Sequence, residues 1–299
     1  MTEYRKYFKN QTLPGMSEME TDMMKRLPIP PIQKPCPAGA DLIELPSHEE
    51  IRGLSALSLS DAIDGRESRR IYSDKPISLV ELAFLLWSTQ GVKELIRDGL
   101  VTLRTVPSGG GMHPFETYLA VHNVDGLEPG IYRYLAIEYQ LLRLNVDADD
   151  SRERITKICN GQRYVGNGAV TFIWACRPYR TEYRYGQDTL KDILISAGHI
   201  CQNLYLACEG LGLGTCATVA YQQAALDELI GVDGDDEIAL YVAPVGKIGG
   251  IEPRPQARAF KDSTTLARTG TSKKTRSPAH LPHPSSPIIE GEGKKQMNG

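Results

Sequence analysis

Apolar positions along the chain fall into stretches of helical period and stretches of strand period. The longest helical pattern runs from Asp188 to Leu213, where Leu190, Ile193, Leu194, Ala197, Cys201, Leu204, Cys208 and Leu211 hold one apolar face. Gly198, His199 and Gln202 interrupt it. Because Gly198 lets a neighbouring helix approach closely, the spacing predicts a central packing helix at a dimer interface, ended by Gly210, Gly212 and Gly214. Ser78 to Gly91 (SLVELAFLLWSTQG) predicts a second helix: Ser78 and Glu81 form a capping box, Leu82, Leu85, Leu86 and Thr89 keep helical spacing, and Gly91 stops it. Leu54, Leu57, Ala62 and Ile63 give a third stripe that ends at Gly65, and Gln222 to Gly231 a short fourth helix.

Strand-like stretches follow a different order. TYLAVH from Thr117, IYRY after the turn Glu128, Pro129, Gly130, and QLLRL at Gln140 to Leu144 predict an antiparallel meander. AVTFIWA, Ala169 to Ala175, reads as a buried strand, and EIALYVAPVGK, Glu237 to Lys247, as a final strand ending on a cation. Thr215 to Tyr221 reads as a short strand or loop. The first fifty residues, with LPIPP and KPCPAG, form a Pro-punctuated lead-in of the kind that runs extended over a surface. Beyond Phe260 there is no aromatic residue and Ser, Thr, Pro, Lys and Gly dominate, so residues 261–299 are expected to be a disordered basic tail. The expected divisions are therefore a lead-in over 1–50, one domain over 51–260 and the tail.

Composition narrows the partners. A hydrophobic content of 41% over 299 residues suffices for a substantial core. From Lys261 onward seven Lys or Arg face three acidic residues, so the net charge of −3 hides a body, residues 1–260, at −7. A body of that sign is a poor match for nucleic acid. MTEYRKYFKNQ carries no apolar signal core and no run approaches membrane-spanning length, which makes a cytoplasmic protein with no membrane partner the expectation. The six cysteines form no CxxC pair and no metal-like spacing and are read as reduced, buried thiols, with no metal site.

Two stretches carry candidate chemistry. In an extended backbone, GRESRRIY (Gly65 to Tyr72) puts Arg66, Ser68 and Arg70 on one face, and two guanidinium forks around a hydroxyl suit a phosphate or a polar ring edge. The plain alternative is a solvated cluster neutralised by Glu67. RTVPSGGGMHP (Arg104 to Pro114) offers backbone N–H groups that no Cβ shields, or a simple loop. His113 and His199 are read as structural ahead of catalytic. RPYRTEYRYGQD, Arg177 to Asp188, is dense in Arg and Tyr, as a stacked surface or pocket wall would be.

RESRRIY, ISLVELAFLLWSTQG, RTVPSGGGMHPFETYLAV, GLEPGIYRY, ISAGHICQNLYLACEGLGLGTC and LYVAPVGK, in that order over about Leu54 to Lys247, resemble the nitroreductase superfamily and within it the SagB-type dehydrogenases. The resemblance implies an α+β fold, a central, mainly antiparallel sheet flanked by helices, with FMN held non-covalently at the interface of a homodimer. It implies that Arg66, Ser68 and Arg70 contact phosphate, ribityl chain and pyrimidine edge. Pro107, Ser108 and Gly109 would then reach the flavin from the partner, while Thr218, Val219 and Ala220 present backbone N–H groups to the ring. Lys247 is placed for phosphate contact, with Arg254 and Arg258 as competitors.

The implied reaction is ping-pong, two-electron oxidation of a peptide-borne azoline or similar small organic substrate. Azoline oxidases of this type carry a Lys-Tyr pair ahead of the GH-containing helix; here Arg184 and Tyr185 stand there. Arg stays protonated and cannot act as general base, though it can orient a carboxylate, which leaves Tyr185 to handle a proton. Two alternatives remain open: an NAD(P)H-dependent reductase of nitro, quinone or enone acceptors, and a non-catalytic flavin-binding scaffold in a peptide-modifying complex.

Overall fold

The computed structural model describes residues 20–144, 151–186 and 189–249. The tail, Arg254, Arg258 and the first part of the lead-in lie outside them. In chain order the elements are β1 (Leu42–Glu44), α1 (His48–Ile51), α2 (Leu59–Gly65), β2 (Ile77–Ser78), α3 (Leu79–Gln90), β3 (Val92–Ile96) and β4 (Val101–Arg104). Next come β5 (Phe115–Val121), β6 (Val124–Asp125), β7 (Gly130–Leu135), β8 (Gln140–Arg143), α4 (Ser151–Ile158), α5 (Arg163–Gly166) and β9 (Val170–Cys176). α6 (Tyr179–Tyr185), α7 (Thr189–Gly210), β10 (Leu213–Thr215), α8 (Gln223–Ile230) and β11 (Ile238–Lys247) complete the order.

Seven strands form one sheet in the order β1-β8-β7-β5-β9-β11-β10, and every neighbouring pair in it is antiparallel. The expected meander is its β5-β7-β8 half. β9 reads as an unbroken apolar run because helices cover both faces. Phe172 and Trp174 join α3 and α7 in one core, while Ile173 and Ala175 join α4, α5 and α8 in the other. The two-residue side-chain period thus divides one strand between two cores.

α3 forms as its sequence predicts. The Ser78 hydroxyl accepts the Glu81 N–H at 3.2 Å, while Glu81 Oε2 accepts the Ser78 N–H at 2.8 Å. Glu81 Oε1 also receives the ammonium of Lys247 at the end of β11. Burial would raise the Glu81 pKa, but the bonds from Lys247 and Ser78 together hold it below the ordinary carboxylate value.

Other elements depart from the sequence pattern. The stripe Leu54 to Gly65 becomes helical only from Leu59, capped by Ser58, and Leu54, Leu57 and Ile63 are exposed. On α7 the buried face is Ile193, Ser196, Ala197, Ile200, Cys201, Leu204, Ala207 and Cys208, whereas Leu190 and Leu194 point outward with Ile195. The hairpin β3-β4 and the helices α4, α5 and α6 have no counterpart in the sequence pattern. All six thiols are free, five of them buried. Among the described residues no helix is long and apolar enough to cross a membrane.

The described part of the lead-in lies along the body of its own chain. Prolines supply carbonyl oxygens without a competing N–H, which suits buried guanidinia that need acceptors. Arg180 Nε donates to Pro31 O at 2.8 Å, Arg104 Nη2 to Ile32 O at 3.2 Å and Arg133 Nη2 to Pro35 O at 2.9 Å. Tyr183 Oη donates to Leu27 O at 2.9 Å.

Glu81 offers a direct check of this architecture. Glu81→Ala removes half a capping box and a partly buried ion pair, and is expected to lower stability by about 1–2 kcal/mol at pH 7. A carboxylate whose folded pKa is depressed stabilises above its unfolded pKa and loses that contribution as pH falls through the folded value. Urea unfolding of both proteins at pH 7 and pH 3 should therefore show the gap narrowing in acid.

Candidate active site

The Gly65–Tyr72 segment runs extended after α2, and its alternation is the one the sequence implies. Arg69 turns to the opposite side, where it pairs with Glu67 at 2.8 Å and Glu209 of α7 at 3.0 Å, and its N–H bonds Thr215 O. Arg66, Ser68 and Arg70 gather around tyrosines. The Arg66 guanidinium lies 5.5 Å from the ring centre of Tyr205, and that of Arg70 5.9 Å from the ring centre of Tyr164. Ser68 Oγ is 3.3 Å from Tyr205 Oη, which also accepts the Ala217 N–H at 3.0 Å. Burial raises the pKa of Tyr205 and of Tyr164, so both remain neutral phenols.

Thr218, Val219 and Ala220 border this cluster. The Thr218 N–H is taken by Val242 O at 2.8 Å and the Ala220 N–H by Thr218 Oγ1 at 3.0 Å. Val219, 71% exposed, therefore retains the open N–H of the three among the described residues. Lys247 flanks the segment through its carbonyl, which accepts the Ser73 N–H at 2.9 Å, but its ammonium is held by Glu81.

A second cluster forms at the other end of α7. Ser108 Oγ lies 3.2 Å from Ser196 Oγ and accepts the His113 N–H at 3.1 Å. Gly109–Gly111 make one tight 3-10 turn, with Gly110 at φ 57°. A Cβ on Gly110 would fall 2.6 Å from Tyr185 Oη and 2.8 Å from Arg184 Cδ, so the glycine is what lets α6 end against this turn. Arg184 Nη1 donates to Gly110 O at 3.4 Å, and its guanidinium stands 5.6 Å from the centre of the Tyr185 ring. Pro107, Ser108, Gly109, Arg184 and Tyr185 thus meet within one chain.

Beneath the turn lies a buried charged layer. Arg180 pairs with Glu116, both almost fully buried, and Arg104 Nη1 donates to Gln90 Oε1 at 3.0 Å. Burial, then the Arg104 and Arg180 guanidinia, push His113 down to about 3, so this imidazole is neutral and structural. Ser196 and Tyr205 are nine residues apart on α7, which separates the two clusters by roughly 14 Å along its axis. Tyr205 and Tyr164 were not anticipated.

Residues 63–247 match the Nitroreductase family. The chain is similar to MJ1384 of Methanocaldococcus jannaschii, assigned as a nitroreductase, with 31% identity over 69% of this chain and 96% of that one. It is also similar to the trifolitoxin-processing protein TfxB of Rhizobium leguminosarum bv. trifolii, with 27% identity over 46% of this chain and 38% of the relative. A nitroreductase-assigned crystal structure from Ralstonia eutropha superposes with a TM-score of 0.58 at 25% identity, covering 75% of this chain and all of the other. A family match over more than half of the residues, and a relative aligned along nearly its whole length, make this chain a member of the nitroreductase family.

Proposed function

We propose that this protein is an FMN-dependent oxidoreductase of the SagB-type branch, catalysing two-electron oxidation of a peptide-borne azoline or a similar small organic substrate. The observation that carries the reading is the assembly around Tyr205. The Arg66 guanidinium and the Ser68 hydroxyl meet there, and Arg70 of the same segment stands over Tyr164, a donor set that fits a ligand with an anionic end and an acceptor-rich ring edge. When bound, FMN supplies the two-electron chemistry, and turnover is accordingly ping-pong. Arg66 and Arg70 neutralise its anionic and pyrimidine ends while Ser68 meets the ribityl chain. Lys247 is the weaker candidate for the phosphate, because a ligand would compete there with Glu81.

The separation of the two clusters along α7 supports a homodimer, in which Pro107, Ser108 and Gly109 of one copy complete the site of the other. The outward face of α7 fits that role. Leu190, Leu194 and Ile195 are exposed, and a Cβ at Gly198 would meet nothing within 4 Å. Arg184 then serves as a fixed cation that orients an acidic or carbonyl group, and Tyr185 holds or moves the proton at its Oη. The trifolitoxin-processing name of TfxB supports a peptide substrate. The long alignment with MJ1384 favours a second reading, an NAD(P)H-dependent reductase of nitro, quinone or enone acceptors.

Three outcomes are expected. Recombinant protein should bind one FMN per chain as a dimer, and Arg66→Ala or Arg70→Ala should weaken FMN binding by about 10- to 100-fold in a fluorescence titration. A colourless monomer that ignores added FMN would end the proposal. Anaerobic mixing with NADPH separates the readings: slow or absent bleaching at 450 nm, about the usual flavin maximum, belongs to the substrate dehydrogenase, and rapid bleaching to the reductase. Gly110→Ala, which displaces Arg184 and Tyr185, should cut kcat at least about tenfold in a steady-state assay.

A further inference from the structure

On the sheet face away from α7 there is a cavity of about 180 Å³, lined by Lys34, Tyr118, Arg133, Leu142, Leu144 and Ile230 among others. Arg133 of β7 stands opposite Tyr118 of β5, in the layer covered by α4, α5 and α8. It is 2% exposed. Its Nη2 reaches the Pro35 carbonyl, its Nε has no partner, and among the described residues no carboxylate pairs with it. Glu237, the carboxylate that Tyr118 and Lys34 of the cavity wall reach, is already engaged. Glu237 accepts from Tyr118 Oη at 2.6 Å, Lys34 Nζ at 2.7 Å and Arg177 Nη1 at 3.2 Å.

A buried guanidinium with one carbonyl acceptor and, among the described residues, no counter-charge is costly, and an anion beside it relieves that cost. We propose that this cavity is a binding site for a small monocarboxylate with an apolar body, separate from the flavin site. The planar fork of Arg133 takes the carboxylate, and Leu142, Leu144 and Ile230 take the hydrocarbon. A dianion fits less well, since Lys34 is committed to Glu237. The site depends on the lead-in, because Lys34 and Pro35 close one wall.

The test is calorimetric titration of the full-length, FMN-loaded protein with butyrate in chloride-free buffer, with butyramide as the uncharged control. Saturable butyrate binding, no butyramide binding and an unchanged flavin spectrum are expected. Arg133→Met, close in volume but uncharged, should weaken butyrate binding at least tenfold while the flavin spectrum stays the same. Leu144→Trp, which fills the cavity from its rim, should do likewise and serves if Arg133→Met does not fold. Equal binding of butyrate and butyramide, undiminished binding in the variants, or butyrate binding that perturbs the flavin spectrum would each overturn the proposal.

Discussion

Buried positive charge governs the arrangement of this molecule more than any single apolar contact. Arg104, Arg133 and Arg180 are nearly inaccessible, and among the described residues Arg180 is the one of the three that pairs with a carboxylate, that of Glu116. Removing one partner of such a pair typically costs about 3–5 kcal/mol, so the remaining acceptors have to be supplied with equal care. The lead-in supplies them as carbonyls from Pro31, Ile32 and Pro35. Arg180 belongs to the first turn of α6, and Tyr183 one turn on is tied to Leu27. The end of α6, with Arg184 and Tyr185, is thereby fixed against Gly110.

α7 then sets the spacing of everything chemical. Its inward face is sealed into the core beneath the sheet, its first turns meet Ser108, and its last turns meet Ser68 and Arg69. A rigid helix cannot bring its two ends together. In the proposed dimer a two-fold axis would do so, with Leu190, Leu194 and Ile195, exposed on the first turns of α7, as the apolar area of contact.

The sequence made some of this legible for physical reasons. Alternation at Arg66 to Arg70 separates the two faces of an extended chain whatever surrounds it, and Ser78 with Glu81 is a local motif that needs no tertiary context. Leu190 and Leu194 depart from the pattern because helical periodicity reports an apolar face without saying which part of it the rest of the chain covers. RPYRTEYRY hid a helix because its buried side chains are Arg180, Thr181 and Tyr183, none of them aliphatic. Tyr205 and Tyr164 were invisible as site residues, since what marks them is proximity to a segment more than 90 positions earlier. Short, charged β3 and β4 carry no clear period at all.

One carboxylate described above has a wider consequence. Glu81 Oε2 holds both polar groups of Ser78 while Oε1 holds Lys247, so a single side chain clasps the first turn of α3 to the last residue of β11. A displacement of Lys247 therefore reaches the first turn of α3 through one carboxylate, so the edge of the sheet and the start of the helix are held as one unit.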